Sequence, residues 1–317
     1  MEEGMIAAID IGGTKVAVGV VDSQGKVLAS RESPTGADCE YAHALDIIVH
    51  MLKEVERNAG LQLSGVGIGS TGPVDPFSGD FGEVDFLPKW RGKSLVKDLE
   101  RMFNVTVALE NDGDAGALGE AGWGAGRNKA RLIYVTVGTG IGGGIVLDGK
   151  LYRGVDGAHP EVGHQVIDPS GPPCSCGFRG CWEALAAGPA MAAWLESTAP
   201  PDYPQRAGLT AKLICQLAVE GDELARSAVS REARYLGLGL ANLINLFTPD
   251  AIVLSGSIMK SADLFLPGIR DTIRQGCRFV PFEKTELLLA SLGENANLIG
   301  AAMVWHHRFG KVLERTS

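Results

Sequence analysis

A cluster of three cysteines that follows a histidine has the residue types and the spacing of a metal site. The cysteines form the pattern Cys-x-Cys-x₄-Cys at Cys174, Cys176 and Cys181, and His164 stands ten residues before the first of them. Thiolate sulfur and imidazole nitrogen bind Zn²⁺ in tetrahedral sets of four. Because four protein ligands leave no open position for a water nucleophile, we expect a structural zinc. Buried cysteines without a metal are the alternative.

Two carboxylates stand beside this cluster and could bind hydroxyl groups. Glu161 lies three residues before His164, and Glu183 lies two residues after Cys181. A closed zinc site holds its neighbours rigidly, and carboxylates accept hydrogen bonds from hydroxyls, so this set suits a polyol. The alternative is a pair of solvated surface glutamates.

Two short glycine turns each carry a threonine, and both lie between apolar runs. They are Gly12-Gly13-Thr14 and Gly138-Thr139-Gly140. Glycine allows backbone N–H groups to approach phosphate oxygens, and a threonine hydroxyl adds a further donor. Either turn alone is most simply a tight β-turn. Two equivalent turns in a repeated frame instead favour phosphates bound between the two halves of the chain.

Charged residues flank the first of these turns. Asp10 ends the strand before it and could hold Mg²⁺ directly or through water, since nucleotide phosphates arrive with Mg²⁺. A turn-capping aspartate is the alternative. Lys15 follows the turn, where it could meet a phosphate or be a solvated strand residue.

The glycine turns do not fit a dinucleotide site. Residues 67–72 and 138–143 both match Gly-x-Gly-x-x-Gly. That fingerprint should follow a strand and open a helix. The first match instead runs into Pro73, and the second runs into another apolar strand. We therefore do not expect a nicotinamide-dependent dehydrogenase.

An acidic segment supplies the candidate catalytic residue. Residues 105–112 have the composition of a strand that ends in Glu110-Asn111-Asp112. Ligands gather at the carboxyl ends of strands in open α/β sheets, and an aspartate there can take the proton of an attacking hydroxyl. Phosphoryl transfer needs little beyond positioning, charge neutralisation and such a base. A helix N-cap is the alternative role for Asp112.

The elements that must position these residues follow a repeated pattern. Residues 6–21 and 132–147 each have the pattern strand, glycine turn, strand, and a later strand ends in glycine at residues 66–72 and at 251–256. We interpret this as a duplicated α/β architecture with a cleft between its halves. Apolar spacing also predicts three helices and one loop. The helices are residues 45–55 with Gly60 as the C-cap, 236–247 and 298–309, and the loop is residues 200–204.

Length, charge and cysteine content exclude several classes of protein. The 317 residues suffice for roughly two domains, at about 150 residues each. A net charge of −9 argues against nucleic acid or an anionic membrane as a partner. No apolar run reaches the roughly 20 residues of a membrane span, and the acidic N-terminus does not resemble a signal peptide. Six cysteines are too few for a disulfide scaffold, so we expect a cytoplasmic protein. Cys39, Cys215 and Cys277 are isolated in the sequence, and we expect them to be core residues.

In their order along the chain, these motifs resemble the ROK family of repressors, open reading frames and sugar kinases, and within it the bacterial ATP-dependent glucokinases. The resemblance rests on residues 10–15, 110–112, 137–143 and 161–164, and on Cys-x-Cys-Gly-x-x-Gly-Cys-x-Glu over residues 174–183. It spans essentially the whole chain, and the cysteine motif is its most specific part.

The resemblance implies a duplicated actin-like, hexokinase-type fold (ribonuclease H-like) whose two lobes close on sugar and ATP. The expected small α/β lobe is residues 1–115, completed by a helix at 298–317. The expected large lobe is residues 116–297, with the zinc-binding loop at 164–181.

The resemblance also implies a role for each site residue. Asp112 would be the general base on the sugar 6-hydroxyl. The other sugar contacts would come from Gly72 through its backbone, Asn111, Glu161, His164 and Glu183, with His164 also on the zinc. The ATP phosphates would be lined by Gly12, Gly13, Thr14, Lys15, Gly138, Thr139 and Gly140, and the adenosine side by Gly256.

The expected activity is therefore ATP-dependent phosphorylation of a hexose at its 6-hydroxyl, with glucose as the expected sugar and a dimer or tetramer as the expected assembly. Many relatives carry Asn-Leu-Pro-x-Trp where this chain has Phe86-Leu-Pro-Lys-Trp, and often a double glycine where it has Ser255-Gly256-Ser257. His159-Pro160-Glu161 is similar to fructokinase-like members. Fructose, N-acetylmannosamine and N-acetylglucosamine are the alternative sugars.

Two alternatives belong to other functional classes. A sugar-responsive transcription regulator is disfavoured, because regulators of the family carry a DNA-binding domain before the first glycine turn and here nine residues precede Asp10. A catalytically inactive sugar-binding module is disfavoured by the presence of Asp112 and both glycine turns.

Overall fold

The computed structural model describes residues 5–36, 38–60, 62–203, 206 and 208–310. The chain divides into two compact units. The first comprises Met1–Leu132, Gly144–Pro160 and Ala290–Ser317, and the second comprises Ile133–Gly143 and Glu161–Leu289. The lobe boundaries implied by the family resemblance stay a prediction. Part of the predicted loop, Pro204, and residues 311–317 of the predicted terminal helix lie outside the described residues.

The first five-stranded sheet has the order β3-β2-β1-β4-β5. Its strands are β1 (Met5–Ile11), β2 (Lys15–Val21), β3 (Val27–Pro34), β4 (Leu63–Ser70) and β5 (Thr106–Asn111). The first three strands form an antiparallel meander, and β4 and β5 extend the sheet in parallel on the other side of β1. The predicted pair of strands around the first glycine turn is confirmed.

The second five-stranded sheet repeats this order as β8-β7-β6-β9-β10. Its strands are β6 (Leu132–Val137), β7 (Ile141–Leu147), β8 (Lys150–Leu151), β9 (Ala251–Ser255) and β10 (Glu286–Leu289). As in the first sheet, the second and third strands pair antiparallel and the last two pair parallel. The duplicated α/β architecture predicted from the sequence is confirmed.

Helices fill the connections between the strands. They are α1 (Tyr41–Ala59), α2 (Leu95–Phe103), α3 (Asp112–Gly122), α4 (Trp182–Ala186), α5 (Gly188–Thr198), α6 (Ala211–Glu220), α7 (Glu223–Phe247), α8 (Ala262–Gly276) and α9 (Ala296–Phe309). The three predicted helices correspond to α1, α7 and α9, and α7 begins well before the predicted start because Asp222 caps it through the Ala225 N–H. Gly60 ends α1 in the left-handed conformation, as predicted. Among the described residues, no helix combines the length and the hydropathy of a membrane-spanning segment.

The central strand β1 is buried on both faces, and its alternating side chains contact two different layers. Ile9 packs in a core with α1 residues such as Leu52, whereas Ala8 packs with Ala301 of α9. Glycine in β4 lets α9 lie close to the sheet, because a Cβ added at Gly67 would be 1.9 Å from the Ala301 carbonyl oxygen. The sheet of the first unit is therefore covered on both faces, which fixes where β1, β4 and β5 end.

Helix α7 forms the centre of the helical layer in the second unit. Trp182, at the start of α4, is fully buried against α7, where a Cβ added at Gly239 would be 2.1 Å from its ring. Phe265 and Ile269 of α8 are also fully buried. This packing fixes the start of α4, which carries Glu183.

Candidate active site and metal cluster

The junction between β5 and α3 carries two of the predicted site residues. The Asn111 side chain caps α3, because its Oδ1 accepts a hydrogen bond from the Gly113 N–H at 2.8 Å. Oδ1 of Asp112 accepts from the same N–H at 2.8 Å. Asp112 is exposed in the first helical turn, where the positive end of the helix dipole stabilises a carboxylate. The predicted strand end is confirmed, and the N-cap residue is Asn111 rather than Asp112.

Gly72 lies against this junction. A Cβ added at Gly72 would be 2.9 Å from Nδ2 of Asn111. The two residues meet because β4 and β5 run in parallel, with Ser70 opposite Asn111, so the chain leaving β4 passes beside the start of α3. The structure thus brings Gly72 next to the predicted sugar-binding asparagine.

Asp10 is buried near the end of β1. It lies opposite Gly69 of β4, which lies opposite Glu110 of β5, so both acids are at one level of the sheet. Asn297 Nδ2 donates a hydrogen bond to Asp10 Oδ2 at 3.0 Å. Burial raises the pKa of Asp10, while the Asn297 hydrogen bond and the charge of Lys15 oppose that rise. A buried carboxylate of this kind gains from a nearby cation.

The first glycine turn is closed by backbone hydrogen bonds. The Gly12 N–H donates to the Lys15 carbonyl at 3.0 Å, and the Thr35 N–H donates to the Thr14 carbonyl at 2.8 Å. Nζ of Lys15 lies 2.7 Å from a carboxylate oxygen of Glu32, and 55% of the Lys15 side chain is exposed. The lysine is therefore held by an exposed ion pair on the sheet surface.

An aromatic ring covers the same turn. A Cβ added at Gly13 would be 2.9 Å from Cβ and Cγ of Phe86, and Phe86 is 60% exposed. The residue that departs from the family pattern therefore lies directly on the predicted phosphate turn.

The second glycine turn is held by a carboxylate from α4. The Gly138 N–H donates to the Gly140 carbonyl at 2.9 Å, and Thr139 is exposed at the tip. The Ile141 N–H donates to Oε2 of Glu183 at 2.9 Å. A Cβ added at Gly140 would be 2.3 Å from that oxygen. The structure thus brings the predicted phosphate turn into contact with a predicted sugar-binding glutamate.

Gly256 lies at the other side of the same turn. Its φ is 97°, in the left-handed region, and an added Cβ would be 2.2 Å from the Val137 carbonyl oxygen. Ser257 follows Gly256 in the chain, and its Oγ would be 3.5 Å from a Cβ added at Gly138. Glycine is required here by both conformation and space.

Glu161 and His164 share one short turn. The His164 N–H donates to the Glu161 carbonyl at 3.1 Å across a 3₁₀ turn, Val162–His164. The turn packs on the start of β7, since a Cβ added at Gly163 would be 2.0 Å from the Ile141 carbonyl oxygen. Ile141 therefore contacts this turn through its carbonyl and Glu183 through its N–H.

The histidine and the three cysteines converge as predicted. One ligand atom from each of His164, Cys174, Cys176 and Cys181 lies within 4.8 Å of the others. Nδ1 of His164 is 3.5 Å from Cys174 Sγ, and Cys176 Sγ is 3.5 Å from Cys181 Sγ. A tetrahedral zinc with Zn–S bonds of about 2.3 Å separates its sulfur ligands by roughly 3.8 Å. The four residues therefore fit a zinc ion.

The cysteine loop has backbone geometry that suits this role. The Cys174 N–H donates to the Phe178 carbonyl at 2.8 Å, and Gly177 between them has a φ of 88°. A hydrogen bond from the Phe178 N–H lowers the pKa of the Cys176 thiol. A lower thiol pKa favours the thiolate, which is the form that binds a metal.

Two basic residues near the β5–α3 junction were not predicted as part of the site. Arg153 donates a hydrogen bond to the Glu110 carboxylate, and Nδ1 of His159 lies 2.9 Å from Oδ2 of Asp114. The sequence does carry a signal for them, because acids at positions 110, 112 and 114 would repel one another without basic partners.

Comparison with known proteins decides which family this arrangement belongs to. The ROK family model matches residues 6–308. The chain belongs to the ROK family. Its fold is the actin-like, hexokinase-type fold expected from the motifs.

Other ROK proteins match over most of their length. The glucokinase of Streptomyces coelicolor is 34% identical over 316 residues, covering 94% of this chain and 96% of that protein. The structure of a ROK family glucokinase from Streptomyces griseus, in complex with glucose and AMPPNP, aligns at 34% identity and a TM-score of 0.77, covering 94% of this chain and 98% of that one. The xylose repressor of Bacillus subtilis is 35% identical over 262 residues, covering 82% of this chain and 65% of the repressor.

Proposed function

We propose that this ROK protein is an ATP-dependent hexose kinase that phosphorylates the 6-hydroxyl of glucose. The observation that carries the proposal is the exposed carboxylate of Asp112 at the start of α3, beside Asn111 and Gly72. The likeness to glucokinases over nearly the whole chain supports it, as does a similar structure that holds glucose and an ATP analogue.

Asp112 would act as the general base. Its carboxylate would take the proton of the 6-hydroxyl while that oxygen attacks the γ-phosphorus of ATP, so that an O–P bond forms and ADP leaves. The positive end of the α3 helix dipole favours a negative charge at this position. The remaining sugar hydroxyls would be held by Gly72, Asn111, Glu161, His164 and Glu183.

The two glycine turns would hold the phosphates of ATP. Gly12, Gly13 and Thr14 in one turn and Gly138, Thr139 and Gly140 in the other offer N–H and hydroxyl donors, and Gly256 would line the adenosine side. Mg²⁺ supplied with the nucleotide neutralises phosphate charge. Asp10 is the buried carboxylate that would face such a cation. Lys15 would bind a phosphate after its exposed ion pair with Glu32 breaks.

Zinc would have a structural role. His164, Cys174, Cys176 and Cys181 supply four ligands, which leaves no position for substrate. Nδ1 of His164 lies 3.5 Å from Cys174 Sγ, which would leave the other ring nitrogen available to a sugar hydroxyl. The zinc loop would thereby orient His164 and Glu183.

The test is hexose-dependent release of ADP from MgATP. We expect turnover with glucose above that with fructose, mannose, N-acetylmannosamine and N-acetylglucosamine. Asp112→Asn should lower kcat about 1,000-fold, as expected for loss of a general base. Asp46→Asn, on the exposed face of α1, is the matched control and should keep full activity. Near wild-type turnover by Asp112→Asn would contradict the assignment.

A second candidate function is sugar-responsive regulation of transcription. The specific observation in its favour is the match to the xylose repressor of Bacillus subtilis. Retention of a specific DNA sequence that is released by a sugar, without hexose-dependent ADP release, would favour this function over the kinase.

We also propose a dimer or tetramer, which light scattering of the purified protein would test.

A further inference from the structure

Two buried acidic residues flank Asp112, one on each side, and both contact basic residues from one short segment. Nε of Arg153 donates to Glu110 Oε2 at 3.2 Å, and a second guanidinium nitrogen donates to Glu110 Oε1. Nδ1 of His159 lies 2.9 Å from Asp114 Oδ2. Asp112 itself, between the two acids, is exposed. The side chains on either side of the proposed base are thus fixed, while the base faces solvent.

Burial makes these two contacts important to the local structure. The side chains of Glu110 and Asp114 are 3% and 2% exposed. Burial raises the pKa of Glu110, Arg153 opposes that rise, and the charge of Asp114 adds to it. Removing one partner of a buried ion pair is strongly destabilising, because the charge that remains is left uncompensated. Glu110 therefore needs the Arg153 guanidinium if the strand end is to keep its position, and the His159 ring covers the buried Asp114 carboxylate at the helix start.

The segment that supplies the basic residues is itself ordered. The Gly154 N–H donates to the Ala158 carbonyl at 2.8 Å, around a 3₁₀ turn at Val155–Gly157. Gly157 packs against Phe77, where an added Cβ would be 2.6 Å from the ring. A loop closed in this way can hold Arg153 at one end and His159 at the other.

We propose that the Glu110–Arg153 and Asp114–His159 pairs together hold Asp112 in position for proton transfer. This inference rests on the proposed function. Arg153 and His159 are positioning residues, because they act through Glu110 and Asp114. The effect should be large for residues without substrate contact, since a misplacement of about 1 Å can cost about 100-fold in rate.

The test compares kinetic constants for Arg153→Gln and Asp114→Asn with those for Glu120→Gln. Glu120 is the matched control, because it is a buried carboxylate on the same helix that accepts from the backbone at Ala125 and Ser291. We expect both test variants to lower kcat 10- to 100-fold, with KM for sugar and ATP within threefold of wild type. Glu120→Gln should lower Tm and leave kcat per folded molecule unchanged.

A conservative variant keeps the proposal testable if Arg153→Gln folds poorly. Arg153→Lys retains the positive charge and should recover part of the lost kcat. A fall in activity that only follows the folded fraction, as in Glu120→Gln, would overturn the proposal. So would a rise in KM at unchanged kcat.

Failure of the proposed function has a different signature. In that case the wild-type protein releases no ADP with any hexose. Hydrogen exchange at the amides of residues 111–116 then decides the positioning role by itself. Faster exchange in Arg153→Gln and Asp114→Asn than in Glu120→Gln supports it, and equal exchange overturns it.

Discussion

Glu183 accepts a hydrogen bond from the Ile141 N–H at 2.9 Å, which ties the helix after the cysteine loop to the second glycine turn. The contact exists because Gly140 has no side chain, since a Cβ there would be 2.3 Å from the carboxylate oxygen. A residue proposed for sugar binding is thereby held by the turn proposed for phosphate binding.

Gly140→Ala should displace the Glu183 carboxylate with little loss of stability, because the overlap is with the end of a flexible side chain. We expect the Kd for glucose to rise about tenfold, or about 1.4 kcal/mol, in isothermal titration calorimetry. Gly142→Ala is the matched control, since an added Cβ there meets only Thr136 at 3.5 Å. Equal glucose affinity in the two variants would show that the position of Glu183 does not matter for the sugar.

Replacing one proposed zinc ligand should affect both stability and sugar binding. We expect one zinc per chain by native mass spectrometry, and Cys176→Ser should lower Tm by about 5 °C or more. Glucose affinity should fall as well, because Glu183 follows Cys181 by two residues. Cys39→Ser, remote from the cluster in sequence, should leave the zinc content and the glucose affinity unchanged. Native protein without bound metal would rule out the zinc site.

Glu232 should make the free energy of unfolding depend on pH. It is fully buried, neither of its oxygens has a hydrogen-bond partner among the described residues, and burial raises its pKa to about 8 against the charge of Arg231. Between the ordinary value of 4.5 and about 8, the folded protein therefore binds more protons than the unfolded chain. Its contribution to stability is present below pH 4.5 and is lost as the pH rises towards 8.

Glu232→Gln should remove this part of the pH dependence. The free energy of unfolding, measured in urea, should then vary less between pH 5 and 9. Relative to wild type, the variant should be more stable at pH 9 than at pH 5. Glu196→Gln, at an exposed position on α5, is the control and should keep the wild-type profile. Identical profiles for Glu232→Gln and wild type would contradict the prediction.

Gly67→Ala should disturb the packing of α9 on the first sheet. The added Cβ would be 1.9 Å from the Ala301 carbonyl oxygen, and backbone cannot move as a side chain can. We expect a loss of about 2–3 kcal/mol in the free energy of unfolding, measured in urea. Gly36→Ala, where nothing lies within 4 Å of an added Cβ, should cost less than about 1 kcal/mol.

Local sequence signals were sufficient for the strands, the turns and the cluster of one histidine and three cysteines. The glycine turns at Gly12 and Gly138 lie between apolar β-branched runs, and both runs form strands as predicted. The cysteine spacing around Cys176 likewise brings four ligand atoms together. These features depend on residues close in sequence, so backbone preferences and ligand spacing determine them.

The sequence by itself thus determined the duplicated order of elements, the family and the candidate residues, whereas the tertiary structure decided how those residues are held. Arg153 meets Glu110 across 43 positions of the chain, and Glu183 meets Ile141 across 42. No local pattern encodes such pairs, because they form only when strand ends, helix starts and loops from distant parts of the chain pack together and buried charges need partners.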